Sequence, residues 1–270
     1  MIPKIIHYCW FGGNPLPELA IKCIESWKKY LPDYEIKEWN ESNFDLACCD
    51  YVKEAYQSKK WAFVSDYARF WILYNYGGLY FDTDVEIIKD MTSIIVNGAF
   101  MGCETVDKCA PGLGLGVNPG LGLYDEILKS YERSHFIKEN GEIDCTTIVD
   151  RVTDILIKHG FIEINEVQKL DDITIYPPRY FSPLDYETGR LNLSEETVSI
   201  HHYSESWHSN ADKIITKISR KCINKYGEAK GKKVSHRLSL PFRVISKFEK
   251  LGIKNTVIFI KKKYFNKYKK

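Results

Sequence analysis

Asp82 and Asp84, separated only by Thr83, are the residues of this chain best suited to chemistry. On an extended strand, two carboxylates two positions apart project from one side and stand about 6 to 7 Å apart at their backbones. That is near enough to share an ion directly or through water. Hard oxygen donors of this kind suit Mg²⁺ or Mn²⁺, and such ions complete their shells with water and substrate phosphates. The chemistry on offer is charge neutralisation on a phosphate-bearing substrate, although a solvated edge strand can carry the same two acids. Asp66 and Arg69 sit at helical i, i+3 spacing, as an ion pair or as a guanidinium fork held ready for hydroxyls. In the run 198–209, VSIHHYSESWHS, strand alternation puts His201 and His202 on opposite sides, so only one can face the acids.

The elements that must position these groups are legible in the hydropathy pattern. Lys60 to Asn75 reads as an amphipathic helix, with Val64, Ala68, Trp71, Ile72 and Asn75 on one stripe and Asp66, Arg69 and Leu73 on another. Gly77 and Gly78 supply a left-handed stop. Leu79 to Ile87 then alternates as one strand carrying Asp82 and Asp84 on a common side. Upstream, Ile2 to Trp10 is a β-branched strand running into Phe11-Gly12-Gly13, and Leu16 to Tyr30 is a helix stopped at Pro32-Asp33. Tyr34 to Trp39 is a second strand and Phe44 to Ser58 a second helix. Strand and helix in alternation imply an α/β nucleotide-binding half with its ligand beyond the carboxyl ends of the strands. Ala99 to Glu104 reads as a further strand, and Thr105 to Gly122 as a glycine-rich surface loop that could serve as an acceptor site or lid. GLGLG at 112–116 satisfies no GxGxxG register, which excludes a dinucleotide-binding dehydrogenase. Leu121 to Arg133 and Thr146 to His159 have helical periodicity, and Ile173 to Tyr176 is a short strand closed by Pro177-Pro178.

The run Phe63-Val64-Ser65-Asp66-Tyr67-Ala68-Arg69, followed by Tyr76-Gly77-Gly78-Leu79-Tyr80-Phe81-Asp82-Thr83-Asp84, resembles the signature of glycosyltransferase family 32. That family comprises the Och1-like mannosyltransferases and the capsular-polysaccharide transferases, and the glucosylating clostridial toxins are more distantly similar. The resemblance covers about residues 1–210. It implies a GT-A fold, a nucleotide-sugar donor with UDP favoured over GDP, retention of anomeric configuration, and a Mn²⁺ (or Mg²⁺) cofactor. It further implies that Asp82 and Asp84 hold the ion with His201 beside them, His202 being the alternate. Asp66 and Arg69 would contact donor sugar and ribose hydroxyls, and Trp10 would stack on the base. Thr83 would belong to the donor site, and Ser206 with Trp207 would lie near the diphosphate. The expected acceptor is a glycan or lipid-linked hydroxyl in bacterial surface polysaccharide synthesis.

At 270 residues, with 44% hydrophobic and 27% charged residues, the chain can bury one sizeable core plus a small appendage. The division expected is a catalytic domain at 1–212 and a basic amphipathic helical tail at 213–270. The net charge of +2 conceals an asymmetry: residues 213–270 hold 19 basic and 2 acidic residues, a balance of +17, which leaves −15 elsewhere. Such a tail suits an anionic membrane surface. It could also bind phosphate backbones, but the acidic body and the lack of ribonucleoprotein or zinc motifs argue against nucleic acid. The eight cysteines show no CxxC pair, which speaks against a zinc site or disulfide framework and for a reducing cytosol. No apolar leader or membrane-length run is apparent, so the expectation is a cytoplasmic protein, peripheral on the inner face of the membrane. A nucleotide-sugar hydrolase would use the same carboxylates with water as acceptor.

Overall fold

The computed structural model describes residues 1–204 and 209–248. Its elements run β1 (Ile5–Cys9), α1 (Glu18–Tyr30), β2 (Glu35–Trp39), α2 (Asp50–Gln57), α3 (Trp61–Tyr76), β3 (Gly78–Tyr80), β4 (Val85–Ile87) and α4 (Thr92–Ile95). There follow β5 (Phe100–Thr105), β6 (Lys108–Cys109), β7 (Leu115–Val117), α5 (Gly122–Glu132) and α6 (Ile148–Lys158). The chain continues through β8 (Gln168–Leu170), β9 (Ile173–Tyr176), α7 (Pro178–Phe181), β10 (Ser199–His201), α8 (Asn210–Tyr226) and α9 (Glu228–Leu238). The main sheet has the order β2-β1-β3-β7-β5-β9-β8, with β6 paired to β5, and β4 and β10 form a separate two-stranded sheet. This is the expected α/β architecture, a mixed sheet flanked by helices.

Strands β2, β1 and β3 are mutually parallel; β7 runs antiparallel to both β3 and β5, and β9 is parallel to β5. The carboxyl ends of β2, β1, β3, β5 and β9 therefore share one edge of the sheet, where ligands of open α/β sheets bind. Helix α3 is the spine of the unit. It is buried on nearly every side, through Val64, Asp66, Tyr67, Ala68, Arg69, Phe70, Ile72 and Leu73, so it is a core helix and not the amphipathic surface helix its stripes suggest. Only Asn75 and Tyr76, at its end, are exposed.

Gly77 and Gly78 end α3 at φ +64° and +97°, as expected for positive-φ glycines, although Gly77 has ψ −160° and is extended rather than left-handed helical. A Cβ on Gly78 would lie 2.6 Å from the Ile5 carbonyl; glycine allows β3 to lie directly against β1. Buried His7 bridges this crossing. Trp39 Nε1 donates to its Nδ1 at 3.0 Å, leaving Nε2–H to donate to the Gly77 carbonyl at 3.0 Å. Burial lowers the His7 pKa to about 4, with the Gly77 bond opposing and Lys37 assisting.

Three expectations need correction. The helix expected from Phe44 begins only at Asp50, because 41–49 is a run of turns held by Asn40, Asn43 and Asp45 side chains. The single strand expected over Leu79–Ile87 is two short strands in different sheets, with the two aspartates in the break. The loop expected at Thr105–Gly122 is in large part core: residues 109–117 are buried and contribute β7 to the centre of the sheet. Its glycines make room for aromatic rings, since a Cβ on Gly116 would meet Phe100 at 2.2 Å.

The chain divides into two compact units, the first spanning 1–184 and 191–203 and the second 185–190 and 204 onward. In the second, Ser209 and Asp212 form a capping box at the start of α8. Gly231 lets α9 approach α8, as a Cβ there would lie 2.5 Å from Ile223 Cα. Of the apolar stripe expected on α8, Cys222 and Ile223 are buried, whereas Ile214 is exposed. Lys213, Lys217, Lys221, Lys225, Lys230 and Lys233 are exposed, and so are Leu238, Leu240, Val244 and Ile245 further on. The segment 258–268, expected to continue the tail, lies outside the described residues. Among those described, no helix is long and apolar enough to cross a membrane.

Candidate active site

Asp82 and Asp84 leave β3 in a hydrogen-bonded turn, with the Val85 N–H donating to the Asp82 carbonyl at 3.0 Å. The turn sends the two carboxylates to different partners. Asp82 Oδ1 accepts from the Tyr80 hydroxyl at 3.0 Å, and Arg69 Nη2 lies 3.3 Å from the same oxygen. Arg69 Nη2 also donates to Asp66 Oδ1 at 2.9 Å, and its Nε donates to the Ser65 carbonyl. One guanidinium thus ties helix α3 to the motif. Arg69 is 4% and Asp66 8% exposed, so this pair is shielded from water and screening. Burial pushes the Asp66 carboxyl up to about 7 against the opposing pull of Arg69. For Arg69, burial works against the charge but is outweighed by Asp82, Tyr80 and Asp66, so its pKa rises.

Asp84 meets His201, with Nε2 3.1 Å from Oδ1. The register of β10 against β4 makes this contact: His201 opposes Val85, and the His202 N–H donates to the Asp84 carbonyl at 3.0 Å. His202 points the other way and pairs with Glu86 at 2.7 Å, beside Lys22 at 2.9 Å. Strand β4 is itself pinned to α1, where Trp27 Nε1 donates to the Val85 carbonyl at 2.7 Å and Ser26 Oγ accepts from the Ile87 N–H. Burial lowers the His201 pKa, but Asp84, Asp82 and Glu104 together outweigh it, and the net shift is upward. His201 Nδ1 is buried with no hydrogen-bond partner among the described residues.

Trp10 follows β1 on the same edge, half-buried, its backbone N–H bonded to the Trp39 carbonyl and its Nε1 donating to the Asn14 carbonyl at 2.6 Å. Thr83 is half-buried in the turn. Ser206 and Trp207 lie outside the described residues. Trp10, Asp66, Arg69, Asp82, Thr83, Asp84 and His201 therefore belong to one end of the sheet, and His202 turns away from it.

The residues fit an ion held by few protein ligands. Asp84 and His201 put a hard carboxylate oxygen next to an imidazole, and Asp82 keeps its side chain 30% exposed. Among the described residues, no three His, Cys, Asp or Glu groups gather closely enough to hold an ion by themselves. The remaining ligands would be water and substrate oxygens, as is usual for Mg²⁺ and Mn²⁺.

Residues that the sequence did not point to also shape the site. Gly112 presses on Asp82: its carbonyl accepts the Asp82 N–H at 3.0 Å, and a Cβ there would lie 2.0 Å from Asp82 Oδ2 and 3.2 Å from Arg69 Nη1. The only signal for it was a glycine-rich run that read as loop. Tyr80 supplies a hydroxyl to Asp82 from within the motif's own aromatic flank. Glu104, half-buried at the end of β5, has its carboxyl raised by burial, with His201 opposing.

Residues 17–101, which contain α3 and both aspartates, match the model for the glycosyltransferase sugar-binding region containing the DXD motif. Among curated proteins, the chain is similar to inositol phosphoceramide mannosyltransferase 3 of Schizosaccharomyces pombe, 38% identical over 98 residues. That match covers 35% of this chain and 27% of the relative. It is also similar to the uncharacterized glycosyltransferase L373 of Acanthamoeba polyphaga mimivirus, 24% identical over 195 residues, covering 68% of this chain and 74% of the relative. The chain thus spans about a quarter of the first of these relatives and about three quarters of the second. Among solved structures, PaToxG glycosyltransferase aligns at TM-score 0.43 and 18% identity, over 58% of this chain and 69% of that one. A glycosyltransferase involved in glycosylation of the major capsid of PBCV-1 aligns at TM-score 0.43 and 13% identity, over 76% and 95%.

Proposed function

We propose that this protein is a metal-dependent glycosyltransferase that moves a sugar from a nucleotide diphosphate to a hydroxyl acceptor. The observation that carries the reading is the Asp66–Arg69–Asp82 constellation, fixed by Gly112 and Tyr80 at the carboxyl edge of the sheet within the DXD region. Asp82, Asp84 and His201 would hold Mn²⁺ or Mg²⁺, which would supply charge neutralisation to the departing diphosphate. Asp66 accepts hydroxyl hydrogen bonds from the donor sugar, and Arg69, held from both sides, orients it; a fork already fixed loses little freedom on binding. Trp10 offers a half-buried ring to the base and Thr83 lines the turn beneath the phosphates, while the donor-site role expected of Ser206 and Trp207 falls on residues outside the described ones. Anomeric configuration is retained, and the leaving phosphate takes the acceptor proton.

A UDP-sugar is the favoured donor. The mannosyltransferase name of one relative adds a GDP-linked mannosyl donor and a lipid acceptor bearing a phosphoinositol headgroup to the substrates worth testing. The exposed lysines of α8 and α9, beside exposed Leu238, Leu240, Val244 and Ile245, support a peripheral site on an anionic membrane. There, each basic residue near the surface contributes about 1 kcal/mol, and the acceptor is a lipid-linked glycan of surface polysaccharide synthesis. Division into a catalytic domain at 1–212 and a basic tail at 213–270 is part of the same reading.

Thermal denaturation with Mn²⁺ and a panel of UDP- and GDP-sugars tests the donor. A donor that binds only the folded chain raises the midpoint by mass action, by about 2.7 kcal/mol of stability at one hundred times its dissociation constant. A midpoint that no nucleotide sugar moves contradicts the reading. Equal turnover with and without acceptor would instead favour the hydrolase.

A further inference from the structure

Tyr203, the second residue after β10, has a backbone φ of +50°. An aromatic residue rarely adopts a positive φ, and where one does, its surroundings must hold it there; such positions cluster at functional sites. Two contacts hold this one. Its hydroxyl lies 2.8 Å from that of Ser182, and its ring lies against the His201 imidazole, with centroids 4.2 Å apart and planes inclined at 55°.

Ser182 is a firm point of attachment. It is buried at the end of α7, and its neighbour Phe181 stacks on Phe100 of the main sheet with ring planes 8° apart. The same short helix also holds the entry to β10. There, the Val198 N–H donates to the Tyr180 carbonyl at 2.9 Å, and the Thr197 hydroxyl donates to the Arg179 carbonyl at 2.8 Å. Strand β10 is therefore moored to α7 on both sides, by Thr197 and Val198 before it and by Tyr203 after it.

The mooring bears on His201. Its contact with Asp84, 3.1 Å from Nε2, holds one edge of the imidazole, but an edge contact does not by itself fix the plane of the ring. Continued as a strand, residues 201 and 203 would stand about 6 to 7 Å apart at their backbones. The positive φ instead turns the chain out of the strand, and the two rings meet. We propose that Tyr203 is a positioning residue for the metal site: pinned to Ser182, it holds the His201 imidazole in the orientation in which it meets a divalent ion beside Asp84. The strained backbone at 203 is what brings the ring there. This rests on the metal-dependent transferase reading above and deepens it. Groups that orient a ligating histidine typically change metal affinity about 10- to 100-fold.

The test measures Mn²⁺ binding directly, by electron paramagnetic resonance of the free ion in the presence of UDP or GDP. Glycine accepts the φ at 203 without strain but carries no ring, so Tyr203→Gly should raise the Mn²⁺ dissociation constant about 10- to 100-fold. Tyr203→Phe and Ser182→Ala each remove one end of the same hydrogen bond. Each should raise it about two- to tenfold, and the two together no more than either alone. Added to His201→Ala, Tyr203→Gly should have no further effect. Saturating Mn²⁺ should restore kcat in Tyr203→Phe with donor KM unchanged, which a general loss of packing would not allow. Wild-type Mn²⁺ affinity in both Tyr203 variants overturns the assignment. A further weakening in the His201→Ala background overturns it too, by making Tyr203 act independently of the histidine, and additive effects of Tyr203→Phe and Ser182→Ala remove the pin. A wild-type chain that binds no Mn²⁺ with either nucleotide sinks the metal-dependent reading itself, which wild-type binding shared by all the variants does not.

Discussion

Asp82 and Asp84 are separated by one residue, yet different parts of the molecule hold them. Asp82 is braced by a buried core helix through Arg69, by the Tyr80 hydroxyl and by the backbone of Gly112. Asp84 is braced by a two-stranded sheet of three-residue strands, through His201. The first setting is rigid because its supports are the centre of the main sheet and α3. The second depends on β10, whose pairing to β4 is short and whose far side leads directly toward Ser206 and Trp207 in sequence. One carboxylate is thus fixed by the core, while the other is fixed by a segment that returns from more than a hundred residues later. The motif joins two supports that the chain supplies independently.

The comparison is broken most severely on the Asp82 side. Arg69→Met leaves Asp66 and Asp82 without their shared cation, one of them buried, and should cost about 3 to 5 kcal/mol of stability in urea denaturation. A loss below about 1 kcal/mol would show that the guanidinium is not the brace. Acid probes the same side through His7. Its folded pKa, about 4, lies below the ordinary 6.5, so the unfolded chain takes up the proton first as the pH falls. Its contribution is complete above about pH 6.5 and is lost progressively toward pH 4, about 3 kcal/mol in all. The urea midpoint should fall across that window, and a His7→Gln variant should show a flatter decline.

A subtler break is Gly112→Ala. The added methyl displaces Asp82 and Arg69 without removing either, and a shift on the order of 1 Å should reduce transfer about a hundredfold. Wild-type turnover in that variant would mean the close approach has no role. On the other side, His201→Ala should weaken the Mn²⁺-induced rise in melting temperature. His202→Ala, which loses only a pairing with Glu86 near the surface, should cost under about 1 kcal/mol and leave the Mn²⁺ response intact. Equal Mn²⁺ responses in the two histidine variants would erase the distinction between them.

Much of this was legible from local pattern. Strands β1, β2 and β9, helix α1 and the glycine stop after α3 lie within a few residues of where alternation, helical spacing and turn chemistry put them. The pairing of Asp66 with Arg69 followed from i, i+3 spacing alone, and the opposite faces of His201 and His202 followed from strand alternation. The break after Tyr80 was not legible, because the chain there turns to a contact of Asp82 with Gly112, thirty residues away, and period-2 hydropathy runs through the break undisturbed. Strand β7 was hidden for a related reason. Gly114 and Gly116 are where Phe81, Phe100 and Phe181 need space, so a buried strand carries the composition of a loop.

The central claim is that Asp82 and Asp84, held from opposite sides, jointly serve a metal-bound diphosphate. Its most direct test is Mn²⁺-dependent sugar transfer by the double variant Asp82→Asn, Asp84→Asn, with folding verified by circular dichroism and urea denaturation. The account predicts transfer reduced at least a hundredfold, together with loss of the Mn²⁺-dependent stabilisation by nucleotide diphosphate. A folded double variant that transfers sugar at the wild-type rate, with the same response to Mn²⁺, would contradict it.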